Sequence, residues 1–291
     1  MDTSELERIA QAWADHGRHF DKYDFVYPVV SRRAGGISLG VNLNPDLACN
    51  FDCPYCQVDR TASLASTPAL TINALRTELM NAIAHWMHNR FTDSPRFAGI
   101  SPEQLDLKDI CLSGDGESTM VPQFEAVCAL LAEVQDALSI TKPKLVLITN
   151  ATLLHQEKVR RGLQKLTAKN GEIWGKLDAG TEAWFQIMSR SRFTLSHIES
   201  NLISTVAHFP LRIQTMLCTV DNALPSEAEI KAYAERIQRI VAANPRNLLE
   251  VQLYSIIRRT ATSNVGPVPE DFLQETAKWL SERMDVSVNA Y

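Results

Sequence analysis

The chain has 291 residues, of which 45% are hydrophobic and 22% are charged, and its formal net charge is −5. This composition is ordinary for a soluble globular protein, and the length suits a single α/β barrel. The sequence shows no basic stripe, so a nucleic-acid substrate is not favoured. It shows neither a secretory signal nor an apolar run of roughly 18 to 20 residues that could span a membrane, so we expect a cytoplasmic protein.

Helix and strand patterns alternate along most of the chain. Residues 4–16 predict a short helix, and residues 23–36 predict an irregular stretch. Strands are predicted at 37–42, 110–113, 144–149, 172–177, 211–219 and 248–257. Helices are predicted at 71–88, 123–138, 155–168, 194–208, 227–242 and 270–282. This alternation implies an α/β fold with a parallel sheet and outer helices. We therefore expect an N-terminal extension at residues 1–34 and an α/β domain at residues 35–291.

Three cysteines lie within eight residues directly after the first predicted strand, at Cys49, Cys53 and Cys56. Soft thiolates suit iron, so this run can hold three corners of an iron–sulfur cluster. A structural zinc site is the alternative, but zinc needs a fourth protein ligand, and no histidine or further cysteine is close in the sequence. The pattern therefore favours a metal centre with one open position.

The remaining cysteines, Cys111, Cys128 and Cys218, are far apart and lie in apolar stretches. Six cysteines used in this way do not form a disulfide framework. We expect these three to be small buried hydrophobic side chains.

A glycine-rich segment follows the second predicted strand, at the strand end where parallel barrels carry their functional groups. It consists of Gly114, Asp115, Gly116 and Glu117. The glycines allow the backbone to approach a ligand closely, and a carboxylate can accept a hydrogen bond from a ligand ammonium. An ordinary turn after a strand is the alternative.

Later strand ends add further candidates. Asn150 caps the third strand, and Lys176 and Asp178 point the same way at the end of the fourth if side chains alternate there. For Asn150 and Asp178 a capping or turn-forming role is the alternative, and for Lys176 an exposed or ion-paired role is favoured. Arg258, which can share a face with Gln252 and Tyr254, has the geometry to bind a carboxylate or phosphate.

The Cys-x3-Cys-x2-Cys run, with Tyr55 before its last cysteine, resembles the signature of the radical S-adenosylmethionine (radical SAM) enzymes. Residues 27–60 resemble the Fe–S oxidoreductase branch that is grouped with the wyosine base synthetases. The segment at residues 114–117 resembles the Gly-Gly-Glu-Pro motif of the superfamily, with Asp115 in place of a Gly and Ser118 in place of the Pro. The resemblance implies a partial (β/α)6 barrel of TIM type.

The resemblance also implies cofactors and roles for residues. The three cysteines would bind a [4Fe-4S] cluster, and SAM would bind the fourth iron. Tyr55 would contact the adenine, and the segment from Gly114 to Glu117 would face the methionine end, with Gly116 and Glu117 matching the family's Gly-Glu. Asn150 and Asp178 would line the SAM or substrate pocket.

The implied activity is reductive cleavage of SAM to a 5′-deoxyadenosyl radical that abstracts hydrogen from a substrate. A flavodoxin- or ferredoxin-type protein would donate the electron, and the substrate would be a small molecule or a site on a macromolecule. Modification of a tRNA base is an alternative, although no cysteine precedes Cys49 to hold the second cluster of the wyosine enzymes. A non-catalytic protein with a structural metal is the alternative from a different class.

Overall fold

A largely parallel β-sheet forms the frame of the molecule. The computed structural model describes residues 20, 22–31, 33–61, 64, 66–88, 90–98, 100–137 and 143–291. The strands are β1 (Val26–Ser31), β2 (Gly36–Val41), β3 (Leu107–Leu112), β4 (Lys144–Thr149), β5 (Gly171–Lys176), β6 (Leu211–Val220), β7 (Leu248–Ser255), β8 (Val265–Pro267) and β9 (Val288–Ala290). The helices are α1 (Ile72–Met87), α2 (Phe124–Ala137), α3 (Glu157–Thr167), α4 (Glu182–Ser189), α5 (Leu195–Val206), α6 (Glu227–Ala243) and α7 (Glu270–Ser281). Short 3-10 helices cover Arg90–Asp93, Pro95–Phe97, Pro102–Leu105 and Ser118–Met120.

The strand order confirms the predicted fold class. The strands neighbour one another in the order β1-β2-β3-β4-β5-β6-β7-β9, and β8 pairs with β6. Neighbours from β2 to β7 are parallel, as are β7 and β9, whereas β1 is antiparallel to β2 and β8 is antiparallel to β6. A helix follows each strand from β2 to β6, and α7 follows β7 after the short strand β8. The architecture is therefore a partial (β/α)6 barrel of TIM type with extra strands at its edges.

The prediction of an irregular stretch at residues 23–36 is wrong, because β1 lies there. Pro28 occupies the middle of this strand, and proline in an apolar run weakens a strand prediction because it cannot donate to the ladder. β1 is an edge strand in the described sheet, where a missing N–H is tolerated. The division into residues 1–34 and 35–291 stays a prediction, since the helix predicted at 4–16 lies outside the described residues, and β1 belongs to the same sheet as β2.

The helices pack on the sheet through apolar faces. In α1, Leu75, Leu79 and Ile83 are fully buried and form one stripe. Thr71 caps the first turn of this helix by accepting a hydrogen bond from the backbone N–H of Ala74 at 3.2 Å. Such a cap satisfies a backbone donor that the helix cannot pair itself. Among the described residues, none of the helices has the length and apolar character needed to cross a membrane.

The amino-terminal ends of the parallel strands surround a cavity of about 500 Å³, which we call the basal cavity. Charged side chains alternate along one side of it. Glu172 pairs with both Lys144 and Arg212, and Arg212 also pairs with Glu250. Each charged side chain in this row therefore lies beside one of opposite charge, so that none of the four is left unpaired at the base of the barrel.

Candidate active site

The three clustered cysteines lie in the loop after β2 and face one cavity of about 310 Å³ at the carboxyl ends of the parallel strands. We call it the candidate cavity, and its volume falls at the lower end of the range for small-molecule sites. The sequence-predicted residues in its wall are Cys49, Cys53, Tyr55, Cys56, Gly114, Gly116, Glu117, Asn150, Lys176 and Arg258. Asp115 and Asp178 stand behind this wall, and each is hydrogen-bonded to a residue in it.

Two of the thiols have polar neighbours that approach from different segments. The Asn150 amide nitrogen lies 3.9 Å from Cys49 Sγ, and a guanidinium nitrogen of Arg60 lies 3.7 Å from Cys56 Sγ. Donors placed in this way stabilise negative charge on a coordinating sulfur.

The other influence on the thiols is burial. It raises the pKa of the Cys49 thiol, against a hydrogen bond from the backbone of Phe51. It also raises the pKa of the Cys53 thiol far above its ordinary value, although a hydrogen bond with Tyr55 acts in the opposite direction. A bound metal displaces the protons of its thiol ligands. These two groups therefore depend on a metal to become thiolates at neutral pH.

The described metal-binding side chains do not form a compact group. Within the part of the chain that the structure describes, no three His, Cys, Asp or Glu side chains converge on a point where one metal ion could be held. A zinc ion draws its ligands onto one centre, whereas each thiolate of an iron–sulfur cluster binds its own iron. The assignment of the three thiols to a cluster stays a prediction.

The glycine segment after β3 packs against the cysteine loop. A Cβ on Gly116 would lie 1.9 Å from the carbonyl oxygen of Ala48, and a Cβ on Gly114 would lie 2.2 Å from Oδ1 of Asn42. The side chain of Asn42 in turn donates to Asp115 Oδ2 and accepts from the Asp115 N–H. No larger residue fits at either glycine, because backbone and a held side chain occupy the space. The predicted contacts of this segment with SAM stay predictions.

Glu117 is buried and its carboxylate is engaged by the protein. One oxygen accepts from the Thr119 N–H, the Thr119 hydroxyl and the Thr149 hydroxyl, and the other accepts from the Asn150 N–H at 2.8 Å. A carboxylate has about two acceptor positions on each oxygen, so these donors occupy all positions on Oε1 and leave one on Oε2. Burial raises the pKa of Glu117, while the four hydrogen bonds oppose that rise. In this structure Glu117 therefore ties the turn after β3 to the end of β4, and its contact with SAM stays a prediction.

Asn150 links the end of β4 to the cysteine loop. Its amide nitrogen donates to Oδ1 of Asn50 at 2.6 Å, and its Oδ1 accepts from the N–H and the hydroxyl of Thr152. The next residue, Ala151, has a φ of 65°, in the left-handed region that costs a non-glycine residue about 1–2 kcal/mol. This turn is held by surrounding contacts, including a hydrogen bond from Asn201 to the Ala151 carbonyl.

Lys176 and Asp178 form a buried ion pair of 2.9 Å, as side-chain alternation predicts. The ammonium also donates to the Tyr254 hydroxyl and lies 5.1 Å from the centre of the Tyr55 ring. Burial acts to lower the pKa of Lys176, but Asp178 and Tyr254 outweigh it and raise that pKa above its ordinary value. Lys176 is therefore ion-paired and faces the cavity, where it stays protonated.

The last predicted strand divides its side chains between the two cavities. Tyr254 and Arg258 line the candidate cavity, whereas Gln252 lines the basal cavity, and its Oε1 accepts a hydrogen bond from Gln214. Cys111 is buried, as predicted, but it lies in the wall of the candidate cavity. Cys128 and Cys218 are buried as expected.

Several wall residues were not predicted from the sequence. They are Arg33, Arg60, Ile148, Trp174 and Met216, together with others on β1 to β3. Arg33 comes from the turn between β1 and β2, and no local pattern marks it. Because β1 was not predicted, the position of this turn in the fold was not predicted either. Only the pairing of β1 with β2 shows that Arg33 lies beside the cavity.

Two solved structures have a similar fold. TYW1 with a lysine-pyruvate adduct bound is 14% identical, with a TM-score of 0.56 over 94% of this chain and 80% of that one. Streptococcus suis SuiB bound to S-adenosylmethionine is 11% identical, with a TM-score of 0.60 over 89% of this chain and 52% of that one. The chain thus spans about half the length of SuiB. The resemblance to radical SAM enzymes noted in the sequence is confirmed at the level of the fold.

Sequence comparisons give less information about the family of this chain than the solved structures do. No protein-family model matches the chain. The curated GTPase Obg of Brachyspira hyodysenteriae is 22% identical over 266 residues, which is 90% of this chain and 34% of that protein. The chain therefore spans about a third of this relative. The present chain contains no Gly-x4-Gly-Lys-Ser/Thr phosphate-binding loop, so GTP hydrolysis is not assigned to it.

Proposed function

We propose that the chain is a radical SAM enzyme that holds one [4Fe-4S] cluster through Cys49, Cys53 and Cys56 and binds SAM in the candidate cavity. When bound, the cluster supplies the electron that cleaves SAM to methionine and a 5′-deoxyadenosyl radical, which abstracts a hydrogen atom from the substrate. The observation that carries the proposal is that the three thiols and the glycine segment after β3 share one cavity at the carboxyl ends of the parallel strands. The proposed electron donor is a flavodoxin- or ferredoxin-type protein.

The similarity to SuiB, which was solved bound to S-adenosylmethionine, supports SAM as the ligand. The position of the loop supports the same view, because barrels of this kind carry their chemistry at the carboxyl ends of the strands.

The protein's own groups would prepare the site in two ways. Asn150 and Arg60 direct donors at two of the cysteine sulfurs, which stabilises charge on the thiolates and adjusts the reduction potential. Ile148, Trp174 and Met216 form an apolar part of the wall. Apolar walls exclude water, which would otherwise compete for reactive intermediates.

The lysine-pyruvate adduct of TYW1 is not part of this proposal. A lysine forms such an adduct as a neutral amine. Among the described residues in the candidate cavity wall, Lys176 is the lysine, and its pKa is raised by Asp178 and Tyr254. Its ammonium is therefore a binding or positioning group.

Modification of tRNA is the second candidate, since TYW1, a wyosine synthetase, has a similar fold. The net charge of −5 disfavours it, because phosphate contacts depend on lysine and arginine. A tRNA mobility shift that weakens steeply with salt would support this candidate. A lack of binding at low salt would exclude it.

The test is anaerobic reconstitution with iron and sulfide, followed by dithionite and SAM, with 5′-deoxyadenosine as the measured product. We expect product from the wild type and none from Cys53→Ala. Cys128→Ala, a change of a buried cysteine in α2 outside the cavity wall, is the matched control and should retain cleavage. A colourless, zinc-loaded protein that never cleaves SAM would instead identify a non-catalytic protein with a structural metal.

A further inference from the structure

The guanidinium of Arg33 has two aromatic neighbours, and the carboxyl group that interacts with it electrostatically, Asp109, makes no ion pair with it. It lies 4.8 Å from the ring centre of Tyr254 and 5.8 Å from that of Trp174. It makes neither a hydrogen bond nor an ion pair with any residue that the structure describes. The two rings hold it by cation–π attraction, which leaves its N–H donors for another acceptor.

The other cations in the wall of the candidate cavity are already engaged by the protein. Lys176 pairs with Asp178 at 2.9 Å. Arg60 donates to the carbonyl oxygen of Asp115 at 2.8 Å and also to that of Leu47. Arg258 has an interaction within the protein as well. Arg33 differs from Lys176 and Arg60 because its guanidinium has no oxygen acceptor among the described residues.

Arg33 also occupies a distinctive position, because it lines three cavities. It belongs to the wall of the candidate cavity, to the wall of the basal cavity and to a recess of about 70 Å³. The recess shares Tyr55, Tyr254 and Arg258 with the candidate cavity, so it opens beside the cysteine loop. A ligand group bound to Arg33 would therefore occupy the same space as the rest of the candidate site.

We infer that the substrate of this site carries an oxyanion, a carboxylate or a phosphate, and that Arg33 binds this group. A partly buried guanidinium has lost water, and an anionic acceptor restores those hydrogen bonds. The planar fork of arginine matches both oxyanions in a way that a point charge does not. The inference rests on the proposed function in one respect, which is that the bound anion is described as a substrate of the enzyme.

Calorimetric titration of the purified full chain tests this assignment, first without a cluster. The probes are glutarate for carboxylate, ribose 5-phosphate for phosphate and ribose as the uncharged reference. We expect one of the two anions to bind and ribose not to bind, and the anion that binds identifies the oxyanion. Arg33→Gln should weaken binding about tenfold or more, and Arg33→Lys should be intermediate because it keeps the charge without the fork.

Arg283→Gln is the matched control. Arg283 lies 4.3 Å from the ring centre of Trp279 and outside the candidate cavity wall, so it too is an arginine held against a tryptophan. Its replacement should leave the anion affinity within about twofold of the wild type, a free-energy change of about 0.4 kcal/mol. Circular dichroism shows whether each variant is folded.

Repeating the titration on reconstituted protein saturated with SAM separates a substrate from the cofactor. Anion binding that persists with SAM supports the inference, whereas displacement by SAM means that Arg33 serves the SAM carboxylate and overturns it. Equal affinities of wild type and folded Arg33→Gln, or no binding of either anion, would also overturn it. SAM cleavage without anion binding would leave the proposed function intact, and Arg33-dependent binding without cleavage would refute the function alone.

Discussion

The hydroxyl of Tyr55 donates a hydrogen bond of 2.5 Å to Oδ2 of Asp178, which joins the cysteine loop to the end of β5. The other oxygen of Asp178 accepts from the Met216 N–H at 2.7 Å and pairs with Lys176 at 2.9 Å. One carboxylate thus connects the cysteine loop, β5 and β6. The position of the loop depends on a residue 123 positions later in the chain.

Tyr55→Phe removes this connection and keeps the ring. We expect the free energy of unfolding to fall by about 1.5–3 kcal/mol, the range for a hydrogen bond to a charged group. We also expect faster loss of the cluster absorbance in air, because the loop is less firmly held. Tyr291→Phe is the control, since its hydroxyl donates to Glu250 at 2.7 Å away from the loop. If both variants lose the cluster at the same rate, the Tyr55–Asp178 bond has no specific role in holding the loop.

Glu117→Gln tests whether this carboxylate serves the fold or SAM. The glutamine amide would place donors against N–H and hydroxyl groups that now donate to Glu117. We expect a loss of about 2–3 kcal/mol in the free energy of unfolding, measured with urea, because buried donors lose their acceptors. Unchanged stability together with lost SAM binding would assign Glu117 to the ligand instead.

Asp109 predicts a pH dependence of stability. It lies in the walls of both cavities, and burial raises its pKa from 3.8 to about 6, against a hydrogen bond from Ser38. The unfolded chain therefore releases this proton at lower pH than the folded chain does. The contribution of Asp109 to stability is therefore greatest below about pH 4, falls as the pH rises to about 6, and is constant above that.

The Asp109→Asn variant isolates this contribution. Relative to the wild type it should be more stable by roughly 3 kcal/mol above pH 6, since each pH unit between the two pKa values contributes about 1.4 kcal/mol. The two proteins should become equal near pH 4. Urea unfolding at a series of pH values measures the difference, and a difference that does not change with pH would contradict this account.

Arg190 offers a stabilising substitution near the cysteine loop. It ends α4 with a φ of 46°, and the preceding Ser189 carbonyl accepts from the Asp52 N–H of the loop. Arg190→Gly should raise the free energy of unfolding by about 1 kcal/mol, because glycine adopts this conformation without strain. Arg192→Gly, two residues later and not in the left-handed region, should be neutral or destabilising in the same thermal melts. Equal effects of the two changes would exclude relief of backbone strain as the cause.

Much of the fold could be predicted because periodicity is a local property. The strand at Lys144–Thr149 has the predicted bounds, and the helix at Ile72–Met87 lies within the predicted range of 71–88. β1 was missed because Pro28 interrupts its pattern and its position depends on pairing with β2. β8 and β9 have three residues each, too few for any periodic signal.

The sequence by itself determined the βα alternation and the cluster of three thiols, because spacing along the chain carries both. Only the tertiary structure decided that protein donors hold Glu117, that Asp178 anchors Tyr55, and that Arg33 lines the cavity without an ion pair to any described residue. These properties arise where residues distant in sequence meet. Burial and the number of available donors around a group are set by packing, and packing is not visible in the order of residues.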